Sequence, residues 1–237
     1  MPHSHCGHYN AATTTPRPAL RVYLLNSYLS GIFGLVYVPS TLIDWTNPAV
    51  TVANIKGAER LFRLGILSEI FCFLAFIALP LLLYELLKCA GRVAAALMAI
   101  FSLICVPMAF INIVKKVDVL LLLGGEPYLS AIPPDQLQAQ VMYLLASFNN
   151  GTLVANIFWG AWLFPFGYLV YKSDLLPKIL GIFLILGGIG YITEFLVRFL
   201  FSGTQIPWYI SLPGSIGEFG ICLWLLIMGV KERPLGA

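Results

Sequence analysis

An all-α fold is expected, a polytopic membrane helix bundle of six transmembrane helices with both termini cytoplasmic. Three observations lead there. The chain is 59% hydrophobic and only 11% charged, with a mean hydropathy of +0.86, whereas a soluble domain is about 25% charged. Apolar runs recur along its 237 residues at the length a bilayer crossing needs, about 20 residues each. Lysine and arginine are distributed asymmetrically between the connecting segments.

Residues 1–20 are polar and hold Thr13-Thr14-Thr15-Pro16-Arg17-Pro18, a composition that packs against nothing, so a disordered tail is expected. All three histidines fall there, in His3-Ser4-His5-Cys6-Gly7-His8. Such a cluster can hold a transition metal, but a flexible tail with adventitious affinity is the favoured reading, and no metal or cofactor is assigned to the bundle. The membrane domain is read as residues 21–231, with 232–237 a short cytoplasmic end.

The first span runs from Arg21 to Ile43, broken late by Pro39 and followed by the interfacial pair Asp44 and Trp45. Thr46 to Arg60 reads as a loop turned by Asn47-Pro48. The second span covers Phe62 to Leu87 and contains Glu69 and Pro80. The third begins after Arg92 and passes Asn112, Lys115, Lys116 and Asp118, with Leu120–Leu123 continuing it. A loop to Pro134 precedes an amphipathic helix, Asp135 to Phe148, which Asn149-Asn150-Gly151 interrupts. The fourth span, Thr152 to Tyr171, carries Phe158, Trp159, Trp162, Phe164, Phe166 and Tyr168. The fifth is Leu175 to Phe201. Ser202 to Ser211 is a loop with Trp208 and Tyr209 as anchors, and the sixth span is Leu212 to Val230. Four of the five cysteines lie in or beside spans without paired spacing and read as buried thiols.

With both ends cytoplasmic, Arg17, Arg21, Lys88, Arg92, Lys172, Lys178, Lys231 and Arg233 lie inside, against Lys56, Arg60 and Arg63 outside. That imbalance sets the orientation. A net charge of +3 is too small to suggest nucleic acid; the expected partner is the lipid bilayer, in a bacterial inner membrane.

An ionisable residue within a span faces protein or water by default and marks function. Glu194 and Arg198 are four apart on one helix face, acid first, which is the favourable order. Gly187 and Gly190 share that face and admit close backbone approach. At 1.5 Å per residue Glu194 lies roughly 24 Å beyond Lys178. By the same measure Asn112, Lys115, Glu69, Glu218 and Asn150 fall at a similar height. A polar cavity in the extracytoplasmic half is therefore expected. Its candidate catalytic acids are Glu69, Glu194 and Glu218, and its candidate ligand-binding residues are Asn112, Asn150, Trp159, Tyr191 and Arg198. Ser215 to Glu218 also fits a capping box, but a helix starting near Pro213 puts Glu218 inside it.

Phe62-Arg63-Leu64-Gly65, Lys172 through Gly181, Gly190-Tyr191, Gly217-Glu218, Leu223-Trp224-Leu225 and Gly229-Val230 together resemble a bacterial membrane family, domain of unknown function 4386. The resemblance covers Leu20 to Val230. It implies six helices with acidic residues near Glu69, Glu194 and Glu218, and no activity.

Three functions are compatible with this pattern. One is an acid–base enzyme acting on a lipophilic small molecule, like small terpene cyclases in design only. The others are a small-solute or proton-coupled transporter, and a non-catalytic structural or sensory bundle. Absence of histidine outside the tail excludes a histidine relay or haem ligation in the bundle, and there is no P-loop pattern.

Overall fold

The computed structural model describes residues 17–201, 207–210 and 212–228, and among them the fold is entirely helical. Helix α1 (Arg17–Gly31) passes without a break into a π-helical segment (Ile32–Tyr37) and then α2 (Val38–Leu42). Pro39 sits just past the π segment. Its missing N–H and its ring disrupt the ladder toward the preceding turn, and a wider turn is one way to absorb that.

The expected loop after Thr46 is instead a helix, α3 (Pro48–Gly57). Asn47-Pro48 is not a turn but a helix start: the Asn47 side chain accepts from the Val50 N–H, and Pro48 occupies the first turn. Before it, the Asp44 carboxylate accepts from both the amide and the hydroxyl of Thr46, which hold it below its ordinary pKa. Asn54 Nδ2 donates to Leu42 O at 3.3 Å and ties α3 to the end of α2.

Helices α4 (Glu59–Leu87), α5 (Arg92–Leu123), α6 (Pro134–Ser173) and α7 (Lys178–Leu200) are each long and apolar enough to cross a membrane. Helix α8 (Leu212–Ile227) is apolar but has 16 residues, about 24 Å. The chain is thus helical with at least four candidate crossings among the described residues. Pro80, Pro107 and Pro165 all lie inside helices, as membrane helices tolerate. Leu64, Leu67, Phe71, Leu74, Ile77 and Leu81 form an exposed apolar stripe along α4 at three- and four-residue spacing, the pattern of a face turned to lipid.

The sequence reading splits α6 at Asn149-Asn150-Gly151, yet the helix runs unbroken for 40 residues. Gly151 packs against Asn112 of α5, which also bonds Phe148 and Thr152 on either side of the Asn-Asn-Gly stretch. Cys72, Cys105 and Cys222 are free thiols as expected; Cys89, in the turn after α4, is disulfide-bonded and departs from that expectation.

The chain divides into two compact units. One comprises residues 26–75 and 106–154; the other comprises the described residues among 17–25, 76–105 and 155–228. In the first, α4 packs on α1 and the π segment: Ser68 Oγ donates to Ser30 O at 2.9 Å, and Cys72 Sγ donates to Ser27 O at 3.2 Å. In the second, Trp162 lies 5.7 Å from Phe76 and 5.1 Å from Phe166, ring centre to ring centre.

Antiparallel glycine contacts draw the helices of the second unit together. A Cβ on Gly167 would lie 2.5 Å from Gly181 O, and one on Gly160 would lie 2.9 Å from Gly188 O, so α6 and α7 meet backbone to backbone. On another face of α7, Gly187 meets Gly214 of α8. Small residues at crossing points are how membrane helices gain close packing.

Candidate functional site

The intramembrane polar residues sort into two groups, one in each unit. The first centres on Glu69 of α4 and Lys116 of α5, which form a buried ion pair. Glu69 is 0% exposed and Lys116 3%. The Lys116 ammonium stands 3.9 Å from the centre of the Phe148 ring on α6, a cation–π contact. No described donor reaches Glu69 Oε2. Gly34 of the π segment covers the acid: a Cβ there would lie 2.8 Å from Glu69 Cγ and 2.7 Å from Gly65 O.

One turn before Lys116, Asn112 Nδ2 donates to Phe148 O at 2.8 Å and to Thr152 Oγ1 at 3.2 Å. Lys115 Nζ donates to Asn112 Oδ1 at 2.7 Å and to Ser147 O at 2.9 Å. This seam explains the continuity of α6. The Phe148 carbonyl is bonded from α5, and Gly151 must lack a side chain because a Cβ would lie 2.1 Å from Asn112 Oδ1. Asn112→Ala is expected to cost about 1–3 kcal/mol, since it strips the buried partners of their hydrogen bonds. Thermal denaturation in detergent against wild type measures it; an unchanged midpoint would show the seam to be inert.

The second group lies on α7 and α8. The Tyr191 hydroxyl donates to Glu218 Oε2 at 3.3 Å. Arg198 Nη2 meets Glu194 Oε1 at 2.9 Å, with side chains 52% and 19% exposed. The pair anticipated from four-residue spacing is therefore formed. Glu218 lies within α8, as a start near Pro213 requires. Gly187 and Gly190 are close-approach points, the latter against Ile210 O.

Not every expected site residue joins a group. Asn150 is exposed, although Asn112 contacts α6 on either side of it. Trp159 lies tilted against Phe76, ring centres 5.8 Å apart, within the aromatic packing of the second unit. Glu69 belongs to a different unit from Glu194 and Glu218, so the three acids do not form a single constellation within either unit. Lys116 was missed as a site residue. Its position among Lys115 and Asp118 reads as an interfacial cluster, and only its helical phase relative to Asn112, four residues earlier, hinted otherwise. The histidines of the tail lie outside the described residues.

Comparison with known proteins adds no chemistry. A relative from Archaeoglobus fulgidus, described as an uncharacterized protein, is 40% identical over 87 residues, which are 37% of this chain and 51% of that one. The chain thus matches about half the length of that relative. No solved structure matches. The family described as Domain of unknown function (DUF4386) matches residues 22–229, from the first helix through the last, and the chain belongs to that family.

Proposed function

We propose that this is a six-pass protein of a prokaryotic plasma membrane, with both termini cytoplasmic, that performs acid–base chemistry on a lipophilic molecule. In this reading the unbroken helical run from Arg17 to Leu42 and the shorter apolar α8 are taken as the fifth and sixth crossings. The observation that carries the chemistry is the contrast between the two acids of the α7–α8 group. Glu194 is locked to a guanidinium, whereas Glu218 meets a neutral phenol. Two carboxyls in unlike surroundings can divide the roles of anion and proton donor. Glu218 is then the donor, Tyr191 positions it, and the Glu194–Arg198 pair stabilises charge on the substrate.

The test is conversion of a lipid extract by the purified protein in nanodiscs, followed by mass spectrometry. Glu218→Gln is expected to reduce product formation about 100-fold or more, and Tyr191→Phe to a lesser extent. Undiminished conversion by Glu218→Gln would refute the assignment. The buried Glu69–Lys116 pair favours a second reading, a proton-coupled carrier. Solute uptake driven by a pH gradient, without lipid conversion, would select it.

A further inference from the structure

We propose that Glu69 and Lys116 form an internal proton-exchange site, completed by a buried water that donates to Glu69 Oε2. The geometry begins with a carboxylate wholly removed from solvent, one of whose oxygens takes Lys116. Its other oxygen meets no described donor. A buried acceptor left unsatisfied costs about 1–3 kcal/mol, more when charged, and buried polar groups are almost always partnered. No donor among the described residues supplies it, and a water is the small donor that fits.

The surroundings fit that occupant. On the α1 side, the backbone of Gly34 presses on Glu69 and the Cys72 thiol, one turn along α4, is engaged with Ser27 O. On α5 the facing groups are Lys116 and, one turn earlier, Asn112, already committed to α6. On α6 the neighbour is the Phe148 ring, an aromatic face. Lys116 is thus the one charged group found in contact with the acid among the described residues. The Ser27 hydroxyl is a further buried oxygen in this unit that meets no described partner, and a chain of waters has use for it.

The step balances simply. A proton entering along the water bonds to Oε2, giving a neutral carboxylic acid beside the ammonium of Lys116, a gain of one positive charge. Alternatively the Nζ proton moves to Oε1 and leaves a neutral amine and a neutral acid, with no change of charge. Phe148 stabilises the ammonium form and so favours the first event. This site is independent of Glu218 and holds under either functional reading.

Infrared difference spectroscopy on the full-length protein in nanodiscs, between about pH 5 and about pH 9, tests it. A protonated-carboxyl band is expected to appear at the lower pH and to shift in deuterated water. The band should vanish in Glu69→Gln and persist in Glu218→Gln. Should Glu69→Gln fail to fold, Glu69→Asp should move the band rather than remove it. Lys116→Met should hold the acid protonated at both pH values, so that its band is present in each absolute spectrum and cancels in the difference. A wild-type difference spectrum with no carboxyl band sensitive to Glu69→Asp would overturn the proposal and leave the pair a static clamp. Lost lipid conversion in Glu218→Gln with this band intact separates the two sites.

Discussion

Removing either member of the Glu69–Lys116 pair alone is expected to cost about 3–5 kcal/mol, because the survivor is left without its partner in an apolar interior and must either stay an unpaired charge or be neutralised. Both side chains are almost fully enclosed, so solvent cannot compensate. The attraction itself is not the source of this penalty. Desolvating two ions offsets much of what their contact returns, and a well-packed apolar replacement of a buried pair is often neutral or stabilising by about 1–4 kcal/mol. Glu69→Leu with Lys116→Met should therefore recover most of the loss of either single variant. Reversible unfolding in mixed micelles, analysed as a double-mutant cycle, measures the coupling. Single variants costing under about 1 kcal/mol would mean that the pair is solvated in the membrane and that its burial carries no energetic weight.

Gly187→Val should be comparably severe, for a steric reason. Even the first carbon of the new side chain would lie 2.2 Å from Gly214 Cα and 2.8 Å from Gly214 N. Those atoms are backbone and cannot rotate away, so α7 and α8 must separate. Overpacking of a tight core typically costs about 1–3 kcal/mol, and this contact belongs at or above the upper end. Tyr191 stands one turn along the same face, and its hydroxyl bond to Glu218 crosses the same interface. Loss of folded protein and loss of the Tyr191–Glu218 contact should therefore appear together. Gly57→Ala is the control: a Cβ there meets nothing within 4 Å, and alanine suits a helix better than glycine. If Gly187→Val unfolds at the wild-type temperature, the close crossing of α7 and α8 is wrong.

The legible parts of this molecule are those governed by local rules. Three long helices, α4, α5 and α7, could be placed to within a few residues because apolar runs of bilayer length have few other uses. Glu194 and Arg198 could be paired because four-residue spacing sets their geometry on one helix. Local rules failed where one signal carried two meanings or a packed neighbour overruled it. Asn47-Pro48 signals a turn and a helix start alike, and the Val50 amide decides between them. Asn149-Asn150-Gly151 should end a helix, but Asn112 packs into the space that Gly151 leaves.

From sequence alone follow the membrane setting, the helical class, the family, and the Glu194–Arg198 pair, since each depends on composition or on residues within a turn of one another. Tertiary structure alone decided that Glu69 finds Lys116, 47 positions away, and that the acids divide between two units. The reason is that a helix's own period says which residues share a face, while the partner of that face depends on how other helices pack against it.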